Sequence, residues 1–279
     1  MASLKTRCLL VFAALLPLSI TPTAAEVMGS ISDCAEFFLQ DTPPCIPGVL
    51  EGGRNLNQNR YKTICQTWNN KRRFVTLYDT NNKIPVFSAC KYKRPDASPR
   101  PKTKWKVEPQ TYNYQAGDSD YKNASGFDRG HLLPSSYGAN QDDRISTFTL
   151  TNIVPQVATF NQGSWRRMES CIKCVMDKYC VNSNSVEGFV VIGAQPSTNN
   201  TLNNIINIPS MLWSAFCCYS DKEGKWLASA HWGENVPDQF THLQTKTLAE
   251  LHDKLRTSTS GLFSHICIIS QFFLISFPV

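Results

Sequence analysis

The chain has 279 residues, 42% of them hydrophobic, and this length is compatible with one large domain or two small ones. No internal repeat or low-complexity tract is evident, which excludes a repeat array. The formal net charge of +6 conceals a basic block, because residues 54–106 carry fourteen Lys and Arg against two acids, a local charge of +12. Interleaved aromatic residues suit a bound polyanion, although a solvated basic face explains the block equally well.

The first 25 residues are predicted to be a signal peptide. Lys5 and Arg7 form a charged start, residues 9–18 an apolar run, and residues 23–25 a small-residue cleavage site. An N-terminal anchor helix fits less well, because the apolar run is short and prolines interrupt it. We therefore expect a secreted, extracellular protein whose mature chain begins near Glu26.

Ten cysteines remain when Cys8 is removed with the signal peptide. An even number after a secretory signal predicts disulfide bonds in an oxidising compartment. Cys171 and Cys174 have the spacing of half a zinc site, but no second pair with ligand spacing follows, so disulfide bonding is favoured. Cys217 and Cys218 are expected to bond to separate partners, because a ring between neighbours is strained.

The first third of the mature chain combines loops and strands. Residues 26–60 are predicted to be a disulfide-stapled N-terminal segment, because cysteines, a Pro-Pro pair and a Gly-Gly pair interrupt them. The main domain is expected over 61–260. Two β-rich runs, 74–78 and 84–89, flank a five-residue polar turn and predict a hairpin. The long irregular stretch 91–127 follows, and loops of this length are often functional.

The second half of the chain shows one helical stripe followed by strands. Apolar residues within 165–179 recur at helical spacing, which is more typical of core packing than of a binding surface. Buried strands are predicted over 189–193, 208–219 and 226–232, and an amphipathic helix over 243–255.

Residues 261–279 form an apolar C-terminal tail. A weakly membrane-associated end, a buried strand pair and a poorly ordered terminus all fit this composition. Because the tail is short and contains polar residues, a spanning helix and stable membrane insertion are not expected.

The stretch 126–132 places a base, a cation and a carboxylate in what the sequence predicts to be one tight loop. Hydrolysis of a phosphodiester needs a base, and His131 can serve because a neutral imidazole has a pKa near operating pH. Arg129 can grip a phosphate with two hydrogen bonds. Asp128 is interpreted as orienting this loop rather than as a second base.

A second stretch, 161–165, stands just ahead of the helical stripe. Asn161 is therefore expected near a helix start, where its side-chain oxygen can bind a hydrated divalent cation that stabilises the transition state. One neutral amide ligand leaves the ion most of its water, which suits Mg²⁺. On a regular helix Glu169 lies about 80° and roughly 12 Å further on, where it can hold a water of the same ion.

Each of these residues also has a simpler interpretation. A lone histidine such as His131 is more often structural, Asn161 alone is more often a helix cap, and Glu169 alone is more often a solvated helix position. Only their combination favours catalysis.

Three motifs occur in order, namely Asp128-Arg129-Gly130-His131, then residues 152–156, then residues 161–169. Together they resemble the successive motifs of the DNA/RNA non-specific endonucleases over about residues 70–233, and the signal peptide and cysteine number are similar to a secreted branch, the endonuclease domain-containing 1 proteins. The resemblance implies an α+β, ββα-metal (His-Me finger) nuclease fold with a central antiparallel sheet, flanked by helices and stapled by disulfides.

The resemblance further implies a magnesium-dependent endonuclease, with Mn²⁺ as an alternative ion, that acts on DNA and RNA without strong sequence specificity and leaves 5′-phosphate ends. It assigns a catalytic-site role to each of five residues: His131 as general base, Asn161 as the direct metal ligand, Glu169 as holder of a metal-bound water, Arg129 as a phosphate contact, and Asn152 as support of the site.

Three features depart from the family pattern. The apolar tail after Gly261 does not resemble the usual family ending, and its presence is expected to remove a final packing element. Thr103 and Lys104 stand where some members carry an arginine, so substrate binding here is expected to be weaker, through Lys104, or to come from Arg100. Asn123 begins a glycosylation sequon, as does Asn199, and a glycan on Asn123 would hinder a bulky duplex.

Two other functions remain open at this point, besides the enzyme. A catalytically weak or inactive nuclease-fold protein would bind nucleic acid or an extracellular partner without cutting. A disulfide-stapled interaction module unrelated to phosphodiesters would explain the cysteines but not the order of the motifs. The oligomeric state and the preferred nucleic acid stay undetermined.

Overall fold

The structure, a computed structural model, describes residues 25–122, 124–238 and 242–257. The predicted signal peptide, apart from Ala25, lies outside the described residues, as do Asn123 of the first sequon and the tail from 261 onward. In the described part, no helix is long and apolar enough to cross a membrane.

Nine strands of three or more residues form the framework of the described part of the chain. In chain order they are β1 (Glu26–Met28), β2 (Tyr61–Trp68), β3 (Lys71–Asp79), β4 (Ile84–Tyr92), β5 (Phe127–His131), β6 (Ile153–Val157), β7 (Gly188–Gln195), β8 (Met211–Ser220) and β9 (Lys225–Glu234). Seven of them form one antiparallel sheet in the order β1-β2-β3-β4-β7-β8-β9, while β5 and β6 pair with each other outside it.

The predicted hairpin is confirmed as β3 and β4, which pair antiparallel. The strand β2 was not predicted, because polar residues interrupt its apolar pattern. Thr63 and Gln66 of this strand are nonetheless buried, and the Gln66 side chain donates a hydrogen bond to Thr151 Oγ1 at 2.9 Å. Internal hydrogen bonding of this kind lets a strand with polar residues enter a core.

Three predicted strands are confirmed with shifted bounds as β7, β8 and β9. The predicted run 208–219 begins later, at Met211, because Ile208 and Pro209 lie in the connection that enters β8. Three two-residue strand pairs decorate the loops: Leu50–Glu51 with Arg54–Asn55, Val181–Asn182 with Ser185–Val186, and Thr201–Leu202 with Ile206–Asn207.

The described residues form four α-helices, α1 (Gln141–Ser146), α2 (Ala158–Phe160), α3 (Arg166–Tyr179) and α4 (Leu248–Thr257). The last was predicted to begin at Leu243, but Leu243 packs on the opposite core. A capping box fixes the start instead: Glu250 N donates to Thr247 Oγ1 at 3.1 Å, and the Glu250 carboxylate accepts from Thr247 N at 2.8 Å.

Both faces of the sheet are covered, each by its own apolar core. On one face, Met168, Ile172 and Met176 of α3 pack with residues of β7 and β8, which confirms the predicted helical stripe. On the other face, the N-terminal segment and α4 pack together, with Leu251 and Leu255 buried. The predicted α+β architecture with a helix-flanked antiparallel sheet is therefore correct.

Two disulfides are formed in the described part of the chain. Cys34–Cys65 ties the N-terminal segment to β2, and Cys180–Cys218 ties the end of α3 to β8, with Cα separations of 6.0 and 5.3 Å. The disulfide bonds expected for Cys171, Cys174 and Cys217 are not found among the described residues. Four cysteines carry no disulfide there, namely Cys90 and Cys217 in the interior, and Cys171 and Cys174 on the exposed side of α3.

Candidate active site

His131 closes strand β5 rather than sitting in a loop, which corrects the sequence-based expectation. The strand pairs with β6 in a register that sets His131 opposite Ile153 and Gly130 opposite Val154. A side chain at Gly130 would place its Cβ 2.6 Å from Gln156 Cβ. The glycine before the histidine is therefore required for the close approach of the two strands.

Asn152, completely buried just before β6, fixes the chain that follows His131. Its Oδ1 accepts hydrogen bonds from Ser88 Oγ at 2.9 Å and Leu133 N at 3.0 Å, and its Nδ2 donates to the carbonyls of Leu133 and Thr147. The side chain does not reach the cavity described below. Asn152 is thus placed to position the residues after His131 rather than to touch a substrate.

Asn161 does not start a helix, because the helical segment begins at Ala158 and continues through a wide π-turn, Asn161–Trp165, into α3. At Gly163 the backbone leaves helical geometry (φ −101°, ψ −113°), and the Asp238 carboxylate accepts a hydrogen bond from Ser164 N at 2.8 Å. A Cβ at Gly163 would collide with that carboxylate. A distant aspartate thus stabilises the irregular turn that presents Asn161.

Asp128 orients Asn161. This corrects the sequence-based interpretation that Asp128 orients the stretch 126–132. Its Oδ2 accepts hydrogen bonds from Asn161 Nδ2 at 2.8 Å and from Gln162 Nε2 at 2.9 Å. The amide nitrogen of Asn161 is occupied in this way, and its Oδ1 accepts no hydrogen bond from the described residues. The Asn161 oxygen is therefore the atom left to bind a cation.

One polar cavity of about 550 Å³ brings most of the predicted site residues together. It is lined by Arg100, Arg129, His131, Asn161 and Glu169. Lys104 is exposed and is not among its lining residues, so the structure does not bring this predicted substrate contact to the site.

His131 is held between two aromatic rings at the wall of this cavity. Its ring centroid lies 4.9 Å from that of Trp105 and 4.7 Å from that of Phe148. Burial, with the charge of Arg100 as a second cause, lowers the pKa of His131 to about 3. Its Nε2 is buried and has no hydrogen-bond partner among the described residues. The imidazole is therefore neutral at physiological pH and has an unused nitrogen.

Glu169 lies on α3, partly exposed to the same cavity. Burial raises the pKa of Glu169 to about 8, against the opposing effect of the arginines Arg100 and Arg166. Its carboxyl group is therefore largely protonated at neutral pH unless a further cation binds nearby. A divalent ion at Asn161 would favour the carboxylate form and lower this pKa.

The cations of the cavity differ in how they are engaged. Arg129 forms an ion pair with Asp118 at 2.9 Å, while its Nε is buried without a partner in the described residues. The Arg100 guanidinium lies over the Phe148 ring, 5.6 Å from its centroid. Arg144 is ion-paired with Asp96 at 3.0 Å.

Sequence reasoning missed further lining residues in the π-turn and on α3. Gln162, Arg166, Ser170 and Lys173 follow one another at intervals of three or four residues and all line the cavity. This interval is that of one helical face. The polar face opposite the predicted apolar stripe was the signal that could have found them.

The donor set fits a hydrated hard cation. Among the described residues, no group of three or more His, Cys, Asp and Glu side chains is placed to hold a metal ion. Asn161 Oδ1 and the Glu169 carboxyl group, both at the cavity, are oxygen donors of the type that Mg²⁺ prefers. A site with so few protein ligands leaves the ion most of its water.

Comparison with known proteins finds relatives that are named nucleases. Human Endonuclease domain-containing 1 protein is 27% identical over 216 residues, which cover 69% of this chain and 40% of that protein. A nuclease of Serratia marcescens is 28% identical over 141 residues, which cover 48% of this chain and 52% of that protein. This chain thus spans about two fifths of the human relative.

The fold has a solved counterpart in a chain of the crystal structure of the EndoG/EndoGI complex. The two align with a TM-score of 0.54 at 20% identity, covering 66% of this chain and 81% of that one. At that identity the similarity shows the fold alone. The fold of this chain is the ββα-metal nuclease fold. Residues 52–259 match the family described as DNA/RNA non-specific endonuclease. The chain therefore belongs to the DNA/RNA non-specific endonuclease family.

Proposed function

We propose that this chain is a secreted, magnesium-dependent endonuclease that hydrolyses phosphodiester bonds of DNA and RNA without strong sequence specificity. Membership of a family of metal-dependent nucleases supports the reaction class. One observation carries the proposal to this chain: His131, Asn161, Glu169, Arg129 and Arg100 line a single cavity. Two disulfides and the predicted signal peptide support secretion.

His131 acts as the general base. The neutral ring, which lines the cavity, takes a proton from a water molecule on its unprotonated nitrogen as the water oxygen attacks phosphorus. The bond from phosphorus to the 3′ oxygen breaks and this oxygen takes a proton from a second water molecule, which leaves a 5′-phosphate and a 3′-hydroxyl group. A bound phosphate adds negative charge beside the imidazole and offsets the effect of Arg100, so the pKa of His131 rises when substrate is present.

The arginines hold the phosphate, and the amide and carboxyl groups hold the ion. Arg129 and Arg100 supply cationic donors from the cavity wall. Asn161 would hold Mg²⁺, or Mn²⁺ in its place, through Oδ1, and Glu169 would hold a water of that ion. The ion supplies charge stabilisation to the transition state and to the leaving 3′ oxygen.

The proposal is tested by incubating the secreted protein with plasmid DNA and with RNA, with Mg²⁺ or with EDTA. We expect cleavage of both substrates in Mg²⁺, loss of cleavage in EDTA, and loss in His131→Ala and Asn161→Ala. His242→Ala and Asn113→Ala, which change exposed residues outside the cavity, serve as matched controls. Intact substrates with folded wild-type protein would contradict the proposal.

One observation favours a second candidate, a protein that binds nucleic acid or an extracellular partner but cuts weakly. Lys104, which stands where some relatives carry an arginine, does not line the cavity. The same incubation separates the two candidates, because a binding protein retards the substrates on a gel at low salt and yields no products.

A further inference from the structure

Most cations of the basic block do not lie at the active cavity. Arg100 lines that cavity, whereas five other members of the block line a second cleft of about 780 Å³. These five are Lys71, Arg72, Arg73, Lys91 and Lys93. The cleft thus contains a large share of the positive charge that the sequence concentrates in residues 54–106.

Three of the five cations are engaged in ion pairs. Arg73 is mostly buried and pairs with Asp143 at 2.7 Å. Arg72 pairs with Glu26 at 2.6 Å. Lys91 pairs with Glu187, a residue that does not line the cleft. These pairs order the cleft and leave little of their charge for a ligand.

Lys71 and Lys93 are the cations left for a ligand. Both are exposed, and neither forms an ion pair with any described residue. Lys71 begins β3 and Lys93 directly follows β4, and because these strands are antiparallel neighbours, both lysines stand at the same end of the sheet. Of the three acids in the lining, Glu36 alone forms no ion pair with a described residue, so the two lysines keep a net positive charge there.

The second cleft adjoins the active cavity along two segments. Lys93 lines the cleft and Pro95 lines the cavity, and in the same way Asp143 lines the cleft and Arg144 the cavity. The ridge between them is held by Asp96, whose amide donates to Ala139 O at 2.8 Å and whose carboxylate pairs with Arg144. A chain that leaves the cavity over this ridge enters the cleft.

We propose that the second cleft binds the sugar-phosphate backbone of the same nucleic acid, several nucleotides from the bond that is cut. This inference rests on the proposed function for the identity of the polyanion. Lysine ammonium groups are compact charges on flexible stems and suit phosphates without reading sequence. A polymer long enough to occupy both sites gains affinity that a short fragment cannot gain.

Binding is tested in EDTA, so that no substrate is cut, with a fluorescent DNA single strand of about 30 nucleotides. Each phosphate contact contributes about 0.7 to the slope of log K against log salt. The double variant Lys71→Ala/Lys93→Ala should therefore have a slope shallower by about 1.4. When NaCl is raised from about 50 to about 200 mM, the fold-loss of affinity should be roughly sevenfold smaller for this variant than for the wild type. Lys222→Ala/Lys225→Ala, exposed lysines outside both sites, should keep the wild-type slope.

Cleavage provides a second readout in the presence of Mg²⁺. The variant Lys71→Ala/Lys93→Ala should raise the KM for the long strand and leave kcat unchanged, because remote contacts contribute equally to ground state and transition state. Its kcat/KM for a strand of about 6 nucleotides should equal that of the wild type. If wild-type protein cuts neither strand, the proposed function fails. The binding measurement in EDTA still tests whether the second cleft binds nucleic acid.

Two results would overturn the inference. One is an equal salt slope in the wild type and the variant Lys71→Ala/Lys93→Ala. The other is that heparin, a sulfated polysaccharide, binds in a manner that depends on these lysines while nucleic acid does not.

Discussion

Two histidines of this protein, the half-buried His131 and the buried His231, differ in what surrounds them. Burial lowers the pKa of both, to about 3 for His131 and to about 4 for His231. His231 lies in β9, is 5% exposed, and its Nε2 has a partner in Thr245 Oγ1 at 3.3 Å. The Nε2 of His131 has no partner among the described residues, and its ring lines a cavity that also holds arginines and Asn161.

The comparison shows that a depressed histidine pKa does not by itself identify a base. Both rings are neutral at physiological pH for the same reason, desolvation. Only His131 combines an unused nitrogen with an open cavity and with cations that can hold a phosphate. A ring at the wall of a cavity that can take the substrate is the distinguishing feature.

The largest expected effect concerns the two histidines directly. His131→Ala should lower kcat by about 10²- to 10⁴-fold, the usual contribution of a general base. His231→Ala should leave kcat within about twofold when assayed where the variant is folded, because His231 does not line the cavity. Single-turnover cleavage of a labelled strand measures both, and an equal loss in the two variants would remove the distinction.

A change in the network behind His131 should be seen in stability. Asn152→Ala removes four hydrogen bonds of a completely buried side chain and leaves polar groups of Leu133 and Thr147 without partners. We expect a loss of about 2–4 kcal/mol in the free energy of unfolding by urea, together with a reduced kcat. A variant as stable as the wild type would show that Asn152 does not position the site.

A more selective effect is expected for the carboxylate that orients Asn161. Asp128→Asn loses the charge that accepts hydrogen bonds from Asn161 and Gln162. The Mg²⁺ concentration for half-maximal activity should rise by about 10- to 100-fold, with activity recovered at high Mg²⁺. The control Asp41→Asn, an exposed residue, should titrate like the wild type. Activity lost without recovery would assign Asp128 a different role.

The smallest expected effect is the pH dependence of stability that the buried His231 causes. Because its folded pKa, about 4, lies below the unfolded value of 6.5, the unfolded chain binds a proton in between and the folded chain does not. Stability is therefore lost as pH falls from about 6.5 to about 4. Between pH 6 and pH 5 the wild type should lose about 1 kcal/mol more unfolding free energy than His231→Gln, measured in urea. Parallel losses would mean that His231 is not held neutral.

The sequence predicted the parts of the site that depend on residue type and short spacing. His131, Arg129, Asn161 and Glu169 could be found in this way, and all four line one cavity. The helix start at Asn161 was wrong, because the π-turn depends on a hydrogen bond from Ser164 to an aspartate 74 residues further along the chain. A contact of that range leaves no local pattern.

Burial and strand pairing set the other limits of sequence reasoning. The strand β2 was missed because Thr63 and Gln66 are polar, yet both are buried in the sheet. The four cysteines without disulfides could not be separated from the paired ones, because pairing depends on which Cα atoms come within reach after folding. The polar face of α3, in contrast, was present in the spacing of Arg166, Ser170 and Lys173.

The most direct test of His131 as the base is chemical rescue. In His131→Gly the ring is absent, and free imidazole added to the buffer can enter the cavity that the side chain lined. We expect the Mg²⁺-dependent cleavage of a labelled DNA strand to be lost in this variant and to return in proportion to the imidazole concentration, while the wild type is unaffected. Cleavage by His131→Gly at the wild-type rate without imidazole would contradict the assignment of His131 as the general base.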